Sequence, residues 1–136
     1  MRYLCLIYLD ENELAAMPEK EMSELNARHL RFNEELLASG QFVEAEALQP
    51  AAATTCVRVR NGKPGLTDGP YAETKEMVAG FYLIEARDLN EAIQVAARFP
   101  SAPYGTVEVR PCRELVVDGV PRASSSKSRR TQSTPA

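Results

Sequence analysis

The run MVAGFYLIEARDLNEAIQVAARFP, residues 77–100, decides the fold of this 136-residue chain. Residues 77–86 are almost wholly aromatic, aliphatic or β-branched, the composition of a strand. Gly80 inside it marks a bulge or the close approach of another backbone. Asp-Leu-Asn-Glu follows, with Asp88 placed to cap a helix and Glu91 to reach back from the third helical position. Leu89, Ala92, Ile93, Ala96 and Phe99 then form an apolar helix face whose small residues suit close packing on a sheet. GTVEVRP at 105–111 reads as the returning strand, with Val107 and Val109 inward.

Upstream, residues 2–9 are nearly all apolar, as in a strand central in a sheet or covered on both faces. DENELAAMPEKEMSELNARHLRFNEELLASG announces a helix, with Pro18 in its first turn, Glu19 and Glu21 at its positive end, and Gly40 as its stop. Met22, Leu25, His29, Phe32 and Leu36 recur at steps of 3, 4, 3 and 4, one apolar stripe with a histidine in its middle. QFVEAEAL at 41–48 and TTCVRVR at 54–60 read as strands, and Asn61-Gly62 as a tight turn. Strand, helix, two or three strands, helix, strand: that order predicts an α+β ferredoxin-like sandwich, both helices on one face of an antiparallel sheet. Residues 3–9 and 77–84 are apolar on both faces, so the second face needs cover. A second copy of the same sheet supplies it, and a homodimer is expected.

Composition narrows the function classes. Net charge is -3, but residues 122–136 carry Arg122, Lys127, Arg129 and Arg130 with no acid, so residues 1–121 are at -7. An acidic body lacks the basic face that nucleic acid requires. The seven-residue apolar run from Tyr3 to Leu9 is too short to span a membrane, and no cleavage site follows it, so a cytoplasmic chain is expected. Cys5, Cys56 and Cys112 read as free thiols. The domain is read as 1–120, followed by a Ser-rich, basic, disordered tail at 121–136.

Dinucleotide and phosphate-loop motifs, the serine-nucleophile elbow and the zinc-protease helix motif are all absent, and one histidine cannot build a multi-histidine metal site. His29 is therefore the first candidate for acid–base chemistry, a core histidine being the other role open to it. TDGPYAETKE at 67–76 has two readings as well. Asp68, Gly69 and Pro70 are ordinary turn chemistry. Alternatively Asp68 orients a proton-transfer group, Tyr71 lines a pocket, and Thr74 and Lys75 contact an anionic substrate group.

The stretch LTDGPYAETKEMVAGFYLIEARDLNEAIQVAARFP with GTVEVRP resembles the signature of DGPF-domain proteins, a branch of the YCII-related family. MRYLCLIY, EELLASG and EALQPAAATTCVRVRNGKPGLTDGP also fit, extending the resemblance to about residues 1–117. Tyr71 stands where that branch has phenylalanine. The resemblance implies a ferredoxin-like fold dimerised into an α/β barrel, and a helix histidine, here His29, paired with an acid. Asp68 is the first choice for the acid and Glu44 or Glu46 the next, with Tyr71 and Tyr82 shaping the pocket. It further implies a cofactor-free lyase or isomerase for a small aromatic-derived substrate, as in a family member linked to dehydrochlorination of a chlorinated hydroxyhydroquinone. The other implied role is a ligand-binding or regulatory module for an extracytoplasmic-function sigma factor.

Overall fold

Alternation along the first strand sets the layers. In the computed structural model, which describes residues 1–124, β1 (Arg2–Leu9) buries Tyr3, Cys5, Ile7 and Leu9, while Leu4, Leu6 and Tyr8 on its other face are half-buried. Then come α1 (Glu11–Ala16), α2 (Glu19–Ala38), β2 (Phe42–Ala47), β3 (Thr55–Arg60), β4 (Lys63–Asp68), β5 (Met77–Glu85), α3 (Leu89–Ala97), β6 (Gly105–Pro111), β7 (Leu115–Val117) and β8 (Val120–Arg122). The main sheet runs β2-β5-β1-β6 and is antiparallel throughout. Inward residues of β1 and β5 share one core with Phe32 and Leu36 of α2 and with Ala92, Val95, Ala96 and Phe99. Both long helices thus cover one face, the ferredoxin-like sandwich that the sequence predicts.

Local chemistry fixes the helix ends. Asp10 caps α1 by accepting from the Asn12 and Glu13 amides. The expected single helix breaks because Met17, preceding Pro18, is extended, as the proline ring requires of its neighbour. Pro18 therefore sits at the N-cap of α2 rather than within its first turn. α2 ends in a Schellman motif: Gln41 N donates to Leu36 O and Gly40 N to Leu37 O, with Gly40 at φ 76°. In α3 Asp88 accepts from the Glu91 amide. The buried face of α3 is Ala92, Val95 and Ala96, while Leu89 and Ile93, expected inward, are each 49% exposed. They share an i,i+4 flank that clears the sheet.

Gly80 meets both sequence readings. The β1–β5 register slips between Ile7 and Tyr8 opposite it, and a Cβ there would sit 2.9 Å from the Glu46 carbonyl oxygen.

The largest departure lies between β2 and β5. β3 does not join the main sheet; it pairs only with β4, through an Asn61-Gly62 turn with φ of 52° and 74°. Lys63–Asp68, read as turn and polar loop, is a strand because β3 lends it a partner. A second small hairpin, β7–β8, turns at Asp118-Gly119, so Pro121 and Arg122 are strand residues rather than the start of the tail. Ala123, also expected in the tail, is 6% exposed, and residues 125–136 of the expected tail lie outside the described residues.

Candidate active site

Tyr82 is the anchor. It points inward from β5 between Cys5 of β1 and Ala45 of β2, and is 5% exposed. Its ring stacks on Phe99 at 4.4 Å between centroids and meets Phe32 and Phe42 edge-on, each at 6.4 Å. Three aromatic neighbours leave the ring one orientation, with its hydroxyl aimed at α2.

There the hydroxyl finds two partners one helical turn apart, His29 and Asn33. Tyr82 OH donates to Asn33 Oδ1 at 2.5 Å, and His29 Nδ1 lies 3.1 Å from the same oxygen. A phenol has one proton, and an amide oxygen only accepts. With that proton committed to Asn33, the Tyr82 oxygen accepts from His29, and the imidazole carries its proton on Nδ1. Nε2 is left as the basic nitrogen.

Electrostatics agree with this assignment. Burial lowers the His29 pKa below 6.5, and the neighbouring Arg28 charge lowers it further, so the ring is neutral at pH 7. Burial pushes the Tyr82 hydroxyl up to about 12, so it keeps its proton and acts as a fixed hydrogen-bonding post. A depressed histidine pKa has a definite sign in stability. Below pH 6.5 the unfolded chain takes up the proton first, so stability is full above that pH and declines as pH falls toward the folded value. Urea melts between pH 5 and 8 are expected to show this loss in the wild type and a flatter profile in His29→Asn. Tyr82→Phe keeps the stacking and removes the post; a loss of about 1 kcal/mol in urea melts is expected from two polar groups left unpaired.

The acids assigned to His29 are elsewhere. Glu44 and Glu46 pair with Leu83 and Phe81, on the face of the sheet opposite to Tyr82, so the sheet itself separates them from the histidine. Asp68 ends β4, opposite Thr55. Among the described residues no carboxylate bonds to the His29 ring; Tyr82 is its hydrogen-bond partner.

The polar loop is held by its own bonds. Gly69 N donates to Thr54 O at 2.7 Å, and the Thr74 hydroxyl donates to the Glu76 carbonyl. Glu76 Oε1 accepts from the Thr106 hydroxyl at 2.7 Å, tying the loop to β6. Tyr71 is 86% exposed, and Thr74 and Lys75 are exposed too. Of the six sequence candidates, the fold brings together His29 and Tyr82. Asn33 was missed, although its i+4 spacing from His29 was readable. Among the described residues no cluster of three or more His, Cys, Asp or Glu side chains is placed to hold a metal ion, and no helix is long and apolar enough to cross a membrane.

An antiparallel sheet backed by two helices, with a helix histidine held against its inner face, defines a ferredoxin-like α+β domain with a candidate acid–base site. The chain belongs to the YCII-related family, whose domain model matches residues 1–116. It is 35% identical over 117 residues to the uncharacterized protein R00369 of Rhizobium meliloti (strain 1021), covering 82% of this chain and 91% of that protein. Among solved structures it resembles 5-chloro-2-hydroxyhydroquinone dehydrochlorinase (TftG) from Burkholderia phenoliruptrix AC1100 in complex with 2,5-dihydroxybenzoquinone. That match has a TM-score of 0.52 over 85% of this chain and 96% of that one. At 16% identity this likeness is one of fold.

Proposed function

We propose that the protein is a cofactor-free lyase or isomerase that moves a proton on a small aromatic-derived substrate, with His29 as the base. The observation that carries this reading is the His29–Tyr82–Asn33 chain, which presents Nε2 unprotonated at neutral pH. A histidine of lowered pKa with no carboxylate behind it is a mild base. It suits a proton that is already acidic, such as that of a phenol or of a carbon beside a quinone carbonyl. A dehydrochlorinase of the same fold, complexed with a dihydroxybenzoquinone, supports this substrate class.

The missing carboxylate favours a second reading, a non-catalytic module in which the same site binds a metabolite and signals to a sigma-factor partner. In either role the chain is a homodimer. Leu4, Leu6, Tyr8, Phe81 and Leu83 make an apolar outer sheet face, both long helices lying on the other. Thermal shift with 2,5-dihydroxybenzoquinone, alongside chloride release from a chlorinated hydroxyhydroquinone, separates the two. Catalysis predicts a melting shift abolished in His29→Ala and chloride release abolished in both His29→Ala and His29→Asn. The binding module predicts the shift without release, and a sigma-factor pull-down that survives His29→Ala. Neither shift nor release would remove this substrate class from both readings.

A further inference from the structure

Two arginines on α2 do not take the acids that their spacing offers. Glu24 lies four residues before Arg28 and Glu35 four residues after Arg31, the separation at which helix ion pairs form. Glu35 instead pairs with Arg98, just past the end of α3, at 3.6 Å between Oε2 and Nη2. Among the described residues Arg28, Arg31 and Glu24 have neither an ion pair nor a hydrogen bond. Arg98 is steadied from below, its guanidinium carbon 5.1 Å from the centre of the Phe32 ring. Arg28, Arg31, Phe32, Glu35, Arg98 and Pro100 line an open concavity of about 360 Å³ between α2 and the end of α3. That volume lies in the range of small-molecule sites.

Placement separates this concavity from the histidine. Around α2, Arg28, Arg31 and Glu35 lie on one flank of the buried stripe of Leu25, Phe32 and Leu36, and His29 and Asn33 lie on the other. The concavity therefore opens away from the Tyr82 contact, on the helix side of the sheet, which the proposed dimer leaves uncovered. Three guanidiniums against one carboxylate give it a formal surplus of two positive charges, in a chain whose residues 1–121 are net -7. The planar fork of arginine matches the oxygens of carboxylate and phosphate. A carboxylate or a phosphodiester brings one negative charge, whereas a phosphate monoester brings about two near pH 7, with three oxygens to share. We propose that this concavity binds the phosphate group of a small-molecule monoester through Arg28, Arg31 and Arg98. The Arg98–Glu35 pair is exposed on both sides and contributes little, so Arg98 turns to the ligand at small cost. Three arginines in one hollow fall short of the extended basic face that nucleic acid requires.

Phenyl phosphate titrated at pH 7.5 and low salt, followed by NMR of the arginine Nε–H groups and backbone amides, tests the site. A saturable response at Arg28, Arg31 and Arg98 is expected, with diethyl phosphate bound about tenfold more weakly. Arg28→Gln/Arg31→Gln changes two exposed positions to another good helix former. It is expected to keep the wild-type circular dichroism and to bind phenyl phosphate about tenfold more weakly. Affinity unchanged in that variant, equal binding of the diester, or a response that never saturates would each overturn the site. A phosphoserine peptide bound tenfold more tightly than phenyl phosphate through the same arginines overturns the small-molecule assignment and makes a protein the partner. Should the double variant lose its folded circular dichroism, Arg31→Gln alone decides. A loss of about threefold is expected there, and an unchanged affinity overturns the site.

Discussion

Replacing Phe99 with alanine is expected to destabilise the domain by about 4 kcal/mol. The side chain is 1% exposed and fills the junction between α3, α2 and the sheet. It stacks on Tyr82 and meets Phe32 edge-on at 5.5 Å. Truncation loses the transfer energy of the ring and leaves a cavity that three rigid elements close only in part. Urea melts check the value, with Leu89→Ala as a comparison. Leu89 begins α3, two residues beyond whose end Phe99 lies, but is 49% exposed, and its loss is expected to stay within about 0.5 kcal/mol. Because Phe99 is one of the rings that orient Tyr82, the variant should also loosen the His29 contact.

The second large effect is expected at Gly105. A Cβ there would stand 2.0 Å from the Tyr8 carbonyl oxygen and 2.9 Å from Leu9 Cδ2. The first of these is backbone, so a side-chain rotamer cannot relieve it. Gly105 pairs with Leu9 at the end of the β1–β6 ladder, and both strands must separate to admit a methyl group. Gly105→Ala is expected to cost about 3 kcal/mol in the same melts. A loss below about 1 kcal/mol would mean that the β6 end shifts without strain.

The fold was legible because its signals are local. The unbroken apolar run in residues 3–9, the helix stripe from Met22 to Leu36, the Asp88 cap and the Asn61-Gly62 turn each fix an element from its own residues. β4 was not legible, since Lys-Pro-Gly-Leu-Thr-Asp has little strand character and is a strand only because β3 pairs with it. β7–β8 had a readable sign in Asp118-Gly119 between apolar residues, overshadowed by the serine-rich composition that follows.

The site divides in the same way. His29 stood out as a polar residue in an apolar stripe. Its pairing with Tyr82 did not, because that contact spans 53 residues and depends on which face of β5 turns inward. Glu44 and Glu46 looked suitable in sequence, yet strand alternation sends both to the far side of the sheet. Two carboxylates were excluded by geometry that a one-residue change of register would reverse.

The chain contains one histidine, so its imidazole can be read without assignment. Nitrogen NMR of protein labelled at histidine, titrated from pH 5 to 8, reports both the tautomer and the midpoint. The His29–Tyr82–Asn33 arrangement predicts a neutral ring protonated on Nδ1, with a midpoint below 6.5. A ring protonated on Nε2, or a midpoint above 6.5, would contradict it.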